Sequence, residues 1–90
     1  MTSEAASSFV LHVGIDISAK KGSVAWVSAT IASVPAFEIA LTTPGMDGLA
    51  QRLSALAPAA AIHVTMEATG HFHARLAHFL HEQGFVLSVV

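Results

Sequence analysis

The sequence predicts an α/β fold on a single five-stranded mixed sheet, and three observations lead there. Several short apolar runs carry the period-two alternation or the β-branched character of strands. Two longer stretches repeat apolar residues at three- and four-residue steps, the mark of a helix with one buried side. Along the chain these pieces follow the order β-β-β-α-β-α-β. In that order short turns make an antiparallel meander, while helical crossovers bring the later strands in parallel, with right-handed connections.

Residues 1–8 are small and polar and are expected to be a disordered start. From Phe9 to Ile17, the side chains of Leu11, Val13, Ile15 and Ile17 take one face of a first strand, and those of His12, Gly14 and Asp16 take the other. Ser18-Ala19-Lys20-Lys21-Gly22 reads as a turn, short enough to require a hairpin into a second strand, Ser23 to Thr30, rich in β-formers such as Val24, Trp26 and Val27. Ser33-Val34-Pro35 turns the chain again, into a third strand from Phe37 to Leu41. Thr43 then stands where a hydroxyl caps a helix, with Pro44 at the first helical position and Asp47 in the first turn, at the positive end of the helix dipole. Met46, Leu49, Leu53 and Leu56 form the apolar stripe of that helix, and Pro58 forbids its continuation. Ala61 to Glu67 is a fourth strand, with Ile62, Val64 and Met66 on one face and His63, Thr65 and Glu67 on the other. A second helix, His71 to Gln83, lines up Phe72, Leu76, Phe79 and Leu80 and stops where Gly84 supplies a C-cap. Phe85 to Val90 is expected as a fifth strand, buried by its composition.

Composition narrows what such a domain does. Hydrophobic residues make up 53% of the chain and charged residues 11%, against roughly 45–50% and 25% in ordinary soluble domains. The surplus predicts partner surfaces outside this stretch, in further chain or in another copy, so a homo-oligomer is expected. No apolar run reaches the roughly 18 residues of a membrane-spanning helix, and the start lacks the basic region of a secretory signal. No membrane and a cytoplasmic address follow as expectations. The chain has no cysteine, which excludes disulfides and thiolate metal sites. A net charge of −2 argues against a general electrostatic grip on nucleic acid by this stretch alone, since only Lys20 and Lys21 are adjacent cations.

Two of the six acidic residues close apolar strands: Asp16 in Val13-Gly14-Ile15-Asp16-Ile17-Ser18 and Glu67 in Val64-Thr65-Met66-Glu67-Ala68-Thr69-Gly70. In sheets with parallel neighbours, chemistry collects beyond the carboxyl ends of the strands, where side chains escape the covering helices. Were the two strands neighbours, about 4.8 Å apart, the carboxylates would come within about 5 Å and repel by roughly 3 kcal/mol at an effective dielectric near 20. A shared proton or a divalent cation held through hard oxygen ligands offsets such repulsion.

The same residues carry a family resemblance. Val13-Gly14-Ile15-Asp16-Ile17-Ser18 with Lys20 or Lys21, then Thr43-Pro44-Gly45-Met46-Asp47-Gly48-Leu49, then Met66-Glu67-Ala68-Thr69-Gly70, resemble the amino-terminal, RuvC-like domain of DEDD-type insertion-sequence transposases of the IS-one-ten family. The likeness runs from about Phe9 to Val90 and implies a ribonuclease H-like fold. It implies that residues 9–90 are a partial domain, truncated before its last helix, of an enzyme that breaks and joins DNA with divalent metal held by acidic residues. Asp16 matches the first acidic ligand and Glu67 the second; the others would lie beyond Val90. The resemblance also implies Mg2+ or Mn2+, two ions in the complete site, DNA as substrate, a structured guide RNA as partner, and an isolated fragment without activity.

Plainer readings stand beside these. Asp16 is also placed to cap the loop after the first strand, and Glu67 to assist the start of the second helix. Thr69 suits a helix cap as well as a phosphate contact, and Lys20 and Lys21 suit a solvated turn as well as a nucleic-acid contact. His78 and His81 have the i,i+3 spacing of a zinc pair, together with His71 on the same side, yet no further ligands accompany them. Two other functions compete: a phosphotransfer domain of the actin-like and sugar-kinase superfold, and a non-catalytic assembly module. The first wants small hydroxyl and glycine residues after the opening strand, where this chain has Ala19-Lys20-Lys21.

Overall fold

The computed structural model describes residues 9–18, 20–67 and 72–90, so the expected disorder of residues 1–8 lies outside the described residues. Strands β1 (Leu11–Ser18), β2 (Lys21–Val27) and β3 (Phe37–Ala40) are followed by helix α1 (Thr43–Ser54) and a 3-10 turn at Ala59–Ala61. Strand β4 (Ile62–Met66), helix α2 (Phe72–Glu82) and strand β5 (Val86–Val89) complete the chain. The strands form one sheet in the order β3-β2-β1-β4-β5. β2 is antiparallel to β1 and β3, whereas β4 is parallel to β1 and β5, so the five-stranded sheet is mixed. The arrangement is compatible with a ribonuclease H-like fold.

Period two sorts the strand side chains. Leu11, Val13, Ile15 and Ile17 of β1 are buried, and His12, Gly14, Asp16 and Ser18 between them are exposed. Val24 and Trp26 of β2 and Ile62, Val64 and Met66 of β4 share the buried side, where Met46, Leu49, Ala50 and Leu53 of α1 and Leu76 and Leu80 of α2 join them in one core. Each fully buried side chain of this size contributes about 1.5–3 kcal/mol relative to exposure. Both helices therefore cover the same face of the sheet. Among the described residues, no helix covers the other.

The boundaries depart from the sequence reading in instructive places. Ser18 pairs with Lys21, so Lys21 and Gly22 belong to β2 and not to the turn. β2 ends at Val27 instead of Thr30 because the Ser28 hydroxyl accepts from the N–H groups of Thr30 and Ile31, 3.1 Å each, and donates to the Val10 carbonyl at 2.7 Å. That local hydroxyl network competes with the sheet ladder and wins.

The cap of α1 is Thr42, whose Oγ1 accepts from the Gly45 N–H at 3.2 Å, and not Thr43. Thr43 opens the helix and takes a hydrogen bond from Arg75 Nη2 at 3.1 Å, tying α1 to α2. Asp47 lies beyond the first turn and accepts from Gln51 Nε2 at 3.0 Å. The end of α2 fits the sequence reading: Gly84 has a φ of +94°, and the Phe85 N–H turns back to the Leu80 carbonyl at 3.1 Å.

β5 corrects another expectation. Phe85 is 3% exposed, yet Val86 and Val89 stand at 38% and 44%. Val86 points to the uncovered face, and Val89, on the core side, belongs to an edge strand with one neighbour; composition reports neither.

Gly48 sits in the interior of α1, where an added Cβ would meet nothing within 4 Å. Gly48→Ala is therefore expected to stabilise the domain by about 0.5–1 kcal/mol, since alanine loses less backbone freedom on folding. A urea unfolding midpoint no higher than that of the parent would contradict this.

Candidate functional site

The uncovered face of the sheet can be read row by row. At one end Glu38, Ser23 and Asp16 lie side by side on β3, β2 and β1, since Ser23 pairs with both of the others. In the middle Ala25, Gly14, Thr65 and Ser88 form a row of small residues across β2, β1, β4 and β5. At the far end come Val27, His12, His63 and Val86.

Glu67 follows directly on β4. The register pairs Gly14 with Thr65 and Ile15 with Met66, so Asp16 and Glu67 occupy the next positions on adjacent parallel strands. Both are exposed, and both line one open basin of about 590 Å³. The other described polar side chains on its wall are Ser23 and Thr65; Gly14, Ile15, Ala25, Met66 and Val90 supply the rest. The local reason is the phase of two alternations. Ile15 and Ile17 must face the core, which leaves Asp16 outward, and Met66 inward leaves Glu67 outward.

The other candidate residues are more scattered. Lys20 is exposed in the turn after β1. Lys21 opens β2 with its Nζ 3.9 Å from Glu38 Oε1, both side chains being 69% exposed, an ion pair worth about 0–1 kcal/mol. Thr69 and His71 lie outside the described residues. His78 and His81 are exposed on α2, and no group of three or more metal-ligating side chains forms among the described residues.

His12 and His63 share the carboxylates' face, at the opposite end. His63 stacks on Phe9 with ring centroids 5.1 Å apart, and His12 meets both rings edge-on at 5.8 and 5.9 Å. His63 Nε2 lies 2.7 Å from Ser88 Oγ. About 13 Å of strand separates His12 from Asp16, so these imidazoles pack with each other and stay out of the basin.

Sequence reasoning missed Ser23. Its signal was available in the hairpin register: counting outward from a Ser18–Lys21 pair puts Ser23 opposite Asp16.

The donor chemistry of the basin is that of hard oxygen: two carboxylates and two hydroxyls, with no thiolate in the chain. Such a set fits Mg2+ or Mn2+ better than a softer ion.

A family model for transposases, of the DEDD class of IS110, matches residues 13–90. No curated protein matches the chain. Among solved structures, a Ppx/GppA family member from Aquifex aeolicus aligns at 10% identity and a TM-score of 0.41, over 90% of this chain and 35% of its own. A second structure of the Aquifex aeolicus PPX-GPPA enzyme aligns at 10% identity and a TM-score of 0.40, over 90% of this chain and 36% of its own. The chain spans about a third of those structures, and so loose a likeness carries no argument about function.

Proposed function

The chain belongs to the DEDD-type IS110 transposases, and on that premise we propose that it is the amino-terminal part of an enzyme that breaks and joins DNA on a ribonuclease H-like, RuvC-like fold. What supports the reading is that Asp16 and Glu67 stand at neighbouring positions of two parallel strands and line one open basin. Residues 9–90 would form part of the nuclease domain, with the remaining acidic ligands supplied from elsewhere in the protein.

In this reading Asp16 and Glu67 hold divalent cations, Mg2+ or Mn2+. Two such ions, if held there by Asp16 and Glu67 with ligands from elsewhere in the protein, would supply activation of a water or hydroxyl and charge stabilisation at a leaving oxygen in phosphodiester chemistry. The chain's own contribution is positional. Asp16 lies within the central strand and Glu67 directly follows β4, so hydrogen-bonded backbone holds the first and anchors the second, and little ordering remains to be done when a cation or a phosphodiester arrives. Lys20, exposed beside this end of the sheet, is available to a phosphate oxygen; Lys21 must first leave Glu38. DNA as substrate, a guide RNA as partner and self-association complete the reading.

A Mn2+ titration of the full-length protein is expected to show saturable binding that Glu67→Gln weakens by at least about tenfold. Saturable ATP binding, with no cation binding that depends on these carboxylates, would replace the proposal with a phosphotransfer domain. Self-association with neither ligand bound would favour an assembly module.

A further inference from the structure

We propose that Ser23 is a positioning residue of the cation site, holding a water ligand of the hydrated ion next to Asp16; the inference rests on the metal-binding reading above. Ser23 is the cross-strand partner of Asp16, directly opposite it on β2, and both point to the uncovered face. Side chains of such a pair have Cβ atoms about 4.5–5.5 Å apart. At that spacing the hydroxyl reaches the coordination sphere of an ion held by Asp16, and because a neutral hydroxyl is a weaker ligand than a carboxylate for a hard cation that keeps several waters, its better partner there is a bound water.

Three features single this hydroxyl out. It lies on the wall of the basin that Asp16 and Glu67 share, where Thr65 is the other hydroxyl among the described residues. It is half-buried in a strand whose Val24 and Trp26 are fixed in the core, so its position is set by packing. It makes no side-chain hydrogen bond among the described residues, which leaves both its donor and its acceptor to solvent in the basin. Magnesium keeps several of its waters in protein sites, and losing an outer partner that holds such a ligand typically costs about 10- to 100-fold in affinity.

The role calls for a hydroxyl and for nothing else about serine. In the full-length protein, Ser23→Ala is expected to weaken Mn2+ binding about 10- to 100-fold, read from the free-ion electron paramagnetic resonance signal, while the thermal unfolding midpoint stays unchanged. Ser23→Thr keeps the oxygen and suits a strand, and should restore affinity to within about threefold of the parent. Asp16→Asn, measured alongside, separates the two levels of inference. Loss of binding in Asp16→Asn with parental affinity in Ser23→Ala overturns the role of Ser23 and spares the metal site. Parental affinity in both overturns both. Equal weakening in Ser23→Ala and Ser23→Thr also overturns the role, because the hydroxyl would then not be what matters.

Discussion

Asp16→Asn in the full-length protein is expected to reduce metal-dependent DNA strand breakage by roughly a thousandfold, with the fold intact. Asparagine has nearly the shape of aspartate but carries no charge and replaces one acceptor oxygen with a donor amide. A hard divalent cation distinguishes sharply between the two. Folding should be indifferent, because Asp16 is exposed and its strand is held by Leu11, Val13, Ile15 and Ile17 on the opposite side. The unfolding temperature should therefore stay level. The decisive comparison sets cleavage rate against thermal midpoint for the same preparation. Parental cleavage by Asp16→Asn would remove this carboxylate from the site, and the proposed function with it.

The second large effect concerns packing. Gly45→Ala is expected to destabilise the domain by about 3 kcal/mol, although in an isolated helix the same change is favourable by about 1 kcal/mol. Gly45 is the residue whose N–H meets the Thr42 cap, where α1 leaves β3. A Cβ there would overlap the Ala40 carbonyl oxygen and lie 2.9 Å from its carbon. These are backbone atoms at the end of a strand, with no rotamer into which to retreat. The helix must lift from the sheet or surrender its cap. For a domain of this size each kcal/mol corresponds to about 4–8 °C, so a drop of more than about 10 °C in the unfolding midpoint is expected. A midpoint at or above the parent's would show that the strand and helix are not in such close contact. Gly48→Ala, three residues further along the same helix, should move the opposite way.

Whatever depended on one strand seeing one buried face was legible in the sequence. The alternation from Leu11 to Ile17 and from Ile62 to Met66 gives the phase of both central strands, and hence puts Asp16 and Glu67 on a common side. Features set by competition between near-equivalent residues were not legible. Thr42 and Thr43 both carry a hydroxyl, and only the path of the chain decides which one meets the Gly45 N–H and which one meets Arg75. The end of β2 turns on Ser28, directly after Val27, whose bonds to Val10, Thr30 and Ile31 are invisible to propensity. The exposure of β5 escapes composition for a related reason: Val86 lies on the uncovered face, and Val89, on the core side, stands on an edge strand with one neighbour. Within the candidate site, the carboxylates could be found by phase alone. Ser23 needed the hairpin register, and the turn before it is shorter than its composition suggests.

β1 has a neighbour on each side, an adjacent hairpin partner in β2 and a distant one in β4. The hairpin closes over a few residues and costs little chain entropy, whereas the pairing with β4 closes the longer loop that carries β2, β3 and α1 and costs more. Asp16 and Glu67 are neighbours only in the folded sheet, so a cation held by both, as proposed, binds the native state and not the unfolded chain. Occupancy of the proposed site at a hundred times the dissociation constant would deepen the native well by about 2.7 kcal/mol, coupling the endurance of the domain to the supply of such a cation.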